Sequence, residues 1–432
     1  MRNRIRKTST FRRGFISTLT LDVASRGLSA VATILFIRSL GVASFAYLVL
    51  FLNIGQFAGS ALTGGIRMRY MRTEAERVSR GQKGNAGFAL AMAVSMLLVL
   101  GVAIVAVAGV SVVDTGGSSS SRWLFVALTS AYTAGNAAIE MGIYHFQAHL
   151  KFTRAGMIAV SRSVAIIVVA AASLFGFIES GPATAGAVAA TVLAVAILVC
   201  WPLIKQSLST TLSDALADDF GRESAWLTVY FLGSAGFAYA DIFVVAAFLD
   251  DAAVASYGAA LRYLAIVLGP LPALIAVMRV RTSQEDVVDS AEQQSRLLLD
   301  WLRRSLFPVV VVIGLAALAA PLVIPLVDGG RYPDSVPVFQ LMLIPALVDY
   351  MTLLAPNILM AQKRYRVLAI FYSVALGVQL IAAGTVAAVA GVVAVAAVAS
   401  LVSAFEKGAV ASLAHRLAKR DALEPSTSGR SP

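Results

Sequence analysis

The chain has 432 residues, 58% of them hydrophobic and 14% charged, with a mean hydropathy of +0.80. Soluble domains are close to half apolar and a quarter charged, so water is excluded as the main solvent of this chain. The formal charge of +11 does not make it a nucleic-acid binder, because its Lys and Arg are divided among short loops rather than gathered in one stripe.

Arg2, Arg4, Arg6, Lys7, Arg12 and Arg13 open the sequence ahead of an apolar run. That run is too long for a signal peptide and contains Asp22 and Arg26, so it reads as an uncleaved first helix. Stretches of roughly 20 apolar residues, each able to cross a hydrocarbon core of about 30 Å, recur to the end of the chain. In the first half they are predicted near 14–39, 43–65, 87–112, 123–148, 156–178 and 183–204. In the second they fall near 225–249, 252–278, 305–327, 337–361, 367–389 and 391–415. Every second connection is basic: Arg67, Arg69, Arg72, Arg77, Arg80 and Lys83; Lys151 and Arg154; Arg279, Arg281, Arg303 and Arg304; Lys363, Arg364 and Arg366. The positive-inside rule assigns these loops and both termini to the cytoplasm.

The mixed polar loop at about 205–224 divides the chain, and a faint repeat supports the division. Phe36 to Leu50 reads FIRSLGVASFAYLVL, and Ala247 to Leu261 reads AFLDDAAVASYGAAL. Six spans per half is an even number, so both halves enter the membrane in the same sense and are related by an axis along its normal. The expected fold class is an all-α integral membrane protein with about twelve transmembrane helices in two pseudo-symmetric six-helix lobes around a central cavity. Helices 1–6 fall in residues 1–210 and helices 7–12 in 211–420, with a disordered cytoplasmic tail over 421–432. Prolines gather in the second half, in Gly269-Pro270-Leu271-Pro272 and at Pro308, Pro321, Pro325, Pro345 and Pro356, where kinks are expected.

Ionisable groups at membrane depth cost about 2.5–3.5 kcal/mol each and usually face a bundle interior or a wet cavity. Asp22 and Arg26, four apart, share one face of the first span and are as readily a self-neutralising pair as a binding pair. Arg262 and Asp349 fall near the midplane and are cavity candidates. Arg162 and Asp241 are expected to snorkel to an interface, with a coupling or gating role as the sharper reading. Glu140, Glu406 and Lys407 lie in the cytoplasmic halves of their spans, where a gate is conceivable; Glu406 and Lys407, being adjacent, are not expected to share a face. Tyr132, Tyr230, Tyr239, Tyr263 and Tyr350 could line a sugar path, while Tyr47 and Tyr257 read as membrane-interface residues.

Soluble chemistry is not visible in the sequence. It has no GxxxxGK[ST] phosphate loop and no HExxH. Cys200 is solitary, so no intramolecular disulfide forms. His145 and His149, four apart, could take a metal but read as two solvated side chains. No cofactor, metal or catalytic constellation is expected.

Three stretches carry a family resemblance. They are Arg26-Gly27 through Ile37-Arg38-Ser39-Leu40-Gly41, Phe45-Ala46-Tyr47 and Gly64-Gly65-Ile66; Ala240-Asp241 through Leu249 with Val254-Ala255-Ser256-Tyr257-Gly258-Ala259-Ala260-Leu261-Arg262; and Asp328-Gly329-Gly330-Arg331-Tyr332 with Met360-Ala361-Gln362-Lys363-Arg364-Tyr365. Together they resemble the flippase branch of the multidrug/oligosaccharidyl-lipid/polysaccharide exporter superfamily, the bacterial O-antigen type. Ala46, where the family more often has Gly, and the second Gly of Asp-Gly-Gly-Arg-Tyr depart from the pattern. The resemblance implies two six-helix lobes, alternating access, no enzymatic activity and a polyprenyl-pyrophosphate-linked oligosaccharide as cargo. It implies a location in the bacterial inner membrane beside polysaccharide-assembly enzymes, with Arg26 and Arg262 holding the pyrophosphate. A cation-coupled multidrug exporter using Asp22, Asp241 or Asp349 is the alternative; a membrane-embedded glycosyltransferase or polymerase would need a larger external loop than this chain offers.

Overall fold

A computed structural model describes the backbone of residues 2–79, 87–112, 119–208, 222–271, 274–275 and 291–423; side chains are described for fewer, leaving out 1–19 and Asp22 among others. All regular structure in the described residues is helical. In the first half the helices are α1 Arg2–Ser39, α2 Val42–Ser79, α3 Phe88–Val112, α4 Ser119–Ala148, α5 Phe152–Leu174 and α6 Gly181–Leu208. The second half has α7 Arg222–Phe248, α8 Asp251–Val267, α9 Ala291–Asp328, α10 Ser335–Thr352, α11 Leu354–Ala361 and α12 Tyr365–Leu423.

Eight of these are long and apolar enough to cross a membrane, and one of the eight, α12, joins two helices across a break. Leu368 and Ala369 share a buried cluster with Val410 and Ala414, although an unbroken helix would hold residues 369 and 410 about 60 Å apart. The chain reverses at Gly391, whose φ of 76° and ψ of −174° break the helix in a region that only glycine enters without strain. Tenth in order, the span is α10 plus α11. The break at Leu353 falls where Pro356 withholds an N–H from the carbonyl of Thr352.

Among the described residues the expected spans thus recur as twelve helical segments, with two differences. The eighth was expected to reach residue 278, but α8 stops at Val267, just before Gly269-Pro270. The tail expected from 421 begins inside α12, which runs to Leu423; residues 424–432, like the middle link at 209–221 and Pro272, lie outside the described residues.

Solvation is inverted relative to a soluble bundle. On α9, Phe307, Val311, Leu315, Leu318, Leu322 and Leu326 are exposed at helical spacing, while Ile313, Ala320 and Ile324 are buried. That stripe faces hydrocarbon, which costs an apolar side chain nothing.

Helices α1–α6 pack among themselves and α7–α12 do likewise, and α2 forms the main seam between the two lobes, against α7 and α8. Small residues let the backbones meet there: a Cβ on Gly65 would sit 3.1 Å from the Thr228 backbone, and one on Gly258 would collide with Val49. At the end opposite the basic loops the lobes are latched by reciprocal capping. Arg38, in the last turn of α1, donates from Nε to the Val327 carbonyl and from Nη2 to that of Leu326, both at 2.9 Å, capping α9. Arg331 returns the contact, donating from Nη1 to the carbonyls of Arg38 at 3.2 Å and Ile37 at 3.5 Å. Each arginine meets the negative end of the other lobe's helix and satisfies carbonyls that helix cannot. Phe45 and Tyr332 pack beside the latch, ring centroids 5.5 Å apart.

Candidate functional site

Between the lobes lies a cavity of about 630 Å³, within the range of ordinary small-molecule sites. Polar residues at helical spacing build its N-lobe wall: Ser25, Arg26, Ser29 and Thr33 on α1; Gln56, Ser60 and Arg67 on α2; Asn136, Glu140, Tyr144 and Gln147 on α4; Arg162 on α5. From the C-lobe, α7 contributes Phe231 and Tyr239, and α8 contributes Arg262, Ala265 and Ile266. Gln147 and Gly156 lie within two helical turns of the basic α4–α5 loop, so the cavity reaches towards the basic end of the molecule, away from the arginine latch.

Four guanidiniums, Arg26, Arg67, Arg162 and Arg262, line this space, and Glu140 is the one carboxylate among its lining residues. Glu140 is shared: Arg162 Nη1 donates to its Oε1 at 3.2 Å and to Asn136 Oδ1 at 2.7 Å, while Arg67 Nη1 lies 3.7 Å from its Oε2. Arg262 faces no such partner. Its Nη2 is buried and makes no hydrogen bond among the described residues, an arrangement that is costly unless something anionic enters. Arg26 comes close to the C-lobe at the end of α8, where a Cβ on Gly269 would be 3.5 Å from its Cδ. A polar bridge also crosses the lobes, from Tyr239 OH to Gln56 Oε1 at 3.2 Å and from Gln56 Nε2 to Tyr132 OH at 3.5 Å.

Among the residues singled out from sequence, Arg26, Arg262, Arg162 and Glu140 therefore meet in one cavity. Arg162 was expected to snorkel to an interface but turns inward, because Asn136 and Glu140 lie within reach and the lipid face offers no acceptor. Asp241 also turns inward: it accepts hydrogen bonds from Tyr257 OH, across on α8, and from the Ile242 N–H on its own helix. Tyr257, read as an interface residue, is 1% exposed and spends its hydroxyl on that carboxylate.

Asp349 is elsewhere, in a second cavity of about 190 Å³ with Tyr230, Tyr372, Glu406 and Lys407. There Lys407 Nζ lies 2.9 Å from Asp349 Oδ1 and 3.7 Å from Glu406 Oε2. Glu406 and Lys407, expected on different faces, share this site because the long lysine side chain folds back between the two acids. The side chain of Asp22 lies outside the described residues.

Sequence reasoning missed Arg67, which was assigned to a loop. Helix α2 continues to Ser79, so Arg67 is helical and 6% exposed. The available signal was the spacing of Gln56, Ser60 and Arg67 and of Asn136, Glu140, Tyr144 and Gln147, polar stripes on otherwise apolar helices.

No protein-family model and no curated protein matches this chain. Solved structures do share its fold. An inward-facing multidrug resistance MATE family transporter of the MOP superfamily superposes with a TM-score of 0.73 at 14% identity, over 96% of this chain and 100% of that one. A MOP superfamily transporter from Pyrococcus furiosus gives 0.69 at 14%, over 96% of both chains. A MATE transporter in complex with MaD3S gives 0.69 at 15%, over 95% of this chain and 96% of that one. The protein is a multi-pass membrane protein with the MATE transporter fold.

Proposed function

We propose that the protein is a flippase that exports a polyprenyl-pyrophosphate-linked oligosaccharide from the inner to the outer leaflet of the bacterial cell membrane, by alternating access, during polysaccharide biosynthesis. Charge is the carrying observation: among the described residues four guanidiniums and one carboxylate line the cavity, and Arg262 Nη2 is buried and makes no hydrogen bond. A pyrophosphate must be desolvated to cross, and guanidinium replaces its water with paired, charge-assisted hydrogen bonds. Serine, threonine, glutamine and asparagine along α1, α2 and α4 supply hydrogen-bonding groups suited to sugar hydroxyls, with the rings of Tyr144 and Tyr239 beside them.

On this reading the basic loops and both termini face the cytoplasm, as the positive-inside rule expects, and the cavity reaches towards the side where such a substrate is assembled and where its synthesising enzymes would hand it over. Among the structural neighbours, the P. furiosus transporter is described as having a binding pocket whose reverse polarity suggests a different function, and the arginine-rich cavity raises the same question for this chain.

A cation-coupled multidrug exporter is the second reading, favoured by the Asp349–Lys407–Glu406 cluster in the second cavity. The main cavity argues against it, since an excess of positive charge at low dielectric repels cationic drugs.

In a deletion strain, lipid-linked oligosaccharide should accumulate and surface polysaccharide should fall. Complementation with wild type should restore both levels, and Arg26→Ala or Arg262→Ala, present in the membrane at wild-type amounts, should not. Full rescue by both variants removes the cationic cavity from the mechanism. Unchanged lipid and sugar levels in the deletion strain, with new drug sensitivity, would instead establish the second reading.

A further inference from the structure

Glu74 on α2, His145 on α4 and His149 in the turn after α4 form a compact cluster that the cavity does not use. Each offers one ligand atom, and the three atoms lie within 4.8 Å of one another. The two histidines were expected to be solvated. Instead Glu74 is 1% and His145 3% exposed, and His149, in the α4–α5 turn, is half-buried. His149 Nε2 is 2.9 Å from Glu74 Oε1, and His145 Nδ1 is 2.6 Å from Tyr70 OH. The imidazole rings lie 4.6 Å apart, and Phe88 and Phe146 pack edge-on against His145.

We propose that Glu74, His145 and His149 bind a zinc-class divalent cation. Two imidazoles converge on one buried carboxylate, His145 from the last turn of α4 and His149 from the turn that follows it. Two imidazoles and a carboxylate are a ligand set that zinc accepts, with a fourth position left for water. Ligand atoms around zinc stand about 3.3 Å apart, so the widest separation here closes with small side-chain rotations. Tyr70 supplies the outer contact that fixes a ligating imidazole's orientation through its other ring nitrogen. Arg77 and Lys151 lie close enough to act on Tyr70 and His145; they oppose a cation and favour a site of modest affinity over a permanent one.

Along α2, Glu74 is seven residues from Arg67, and along α4 His145 is five from Glu140. A bound ion would therefore pin the α2–α4 seam two turns from the Arg67–Glu140 pair and slow any motion of that seam.

The test uses tag-free, full-length protein in detergent, titrated with zinc alone and with magnesium alone. Wild type should take up one equivalent of zinc and no magnesium. His149→Gln or Glu74→Gln should weaken uptake at least tenfold, Tyr70→Phe about 10- to 100-fold, and His415→Gln not at all. X-ray absorption at the zinc edge should show only nitrogen and oxygen ligands. Absence of zinc uptake by wild type overturns the site without recourse to any variant. Uptake retained in His149→Gln, or sulfur in the first shell from Cys200, overturns it equally.

Discussion

Substituting Arg38 by Ala should release the latch at the end opposite the basic loops. The side chain makes two charge-assisted hydrogen bonds, both 2.9 Å, to the last-turn carbonyls of α9. Bonds to charged groups contribute about 1.5–3 kcal/mol each, but these are exposed and screened, so roughly 1 kcal/mol each is the appropriate figure. The longer contacts from Arg331 add less. Losing about 2 kcal/mol shifts a two-state ratio by about 30-fold, so a form open at this end and present at about 1% would rise to about 20%. Spin labels at Glu179→Cys and Asp334→Cys, exposed residues at this end of the two lobes, report the gap by double electron–electron resonance in a Cys200→Ser background. Arg38→Ala should add a longer-distance population absent from the parent. Identical distance distributions with and without Arg38 would refute the claim that reciprocal capping holds this end closed.

Two further outcomes follow from the buried charges. Glu140→Gln leaves Arg67 and Arg162 without their shared carboxylate and should cost about 3 kcal/mol of stability. It should nonetheless tighten binding of polyprenyl pyrophosphate to the purified protein, measured by calorimetry; weaker binding would mean that Glu140 contacts the cargo directly. Lys407→Met strands Asp349 and Glu406 together and should destabilise by about 3 kcal/mol in thermal unfolding. Adding Asp349→Asn should recover most of that loss, and an equal loss in the double variant would show that the three groups are not coupled.

Hydrophobic run length made the fold legible, because the bilayer imposes one length scale and each span reports it independently. Where runs merge, that scale is silent. Nothing in composition distinguishes Gly391, which reverses the chain, from Gly377 or Gly384 nearby; only its positive φ does. Proline told more than hydropathy at α8, ending the helix where the apolar run continues. Depth along a helix placed Arg262 near a cavity, where the family resemblance also put Arg26, but depth carries no azimuth. Asp349 sits at a comparable depth and points into a different space, towards Lys407 on α12, a contact between residues 58 apart that no local pattern encodes. Arg67 was hidden because a basic residue beside other basic residues reads as a loop, until the helix is seen to carry on past it.

Latch and cavity are joined by geometry. Helices α1 and α2 carry Arg26 and Arg67 towards the basic end, and α1 also carries Arg38 at the latch. On the proposed function, an empty cavity holds, among the described residues, four guanidiniums against one carboxylate, and their mutual repulsion would keep the lobes apart at the basic end. A bound pyrophosphate reverses the sign of that interaction, because Arg262 from one lobe and Arg26, Arg67 and Arg162 from the other all gain by approaching the same anion. If each lobe moves as a body, closing one end opens the other, so the closing energy must exceed the latch's roughly 2 kcal/mol. On the same proposal a cargo lacking the pyrophosphate has no means of supplying it, and the latch would act as a threshold that only an anionic substrate crosses.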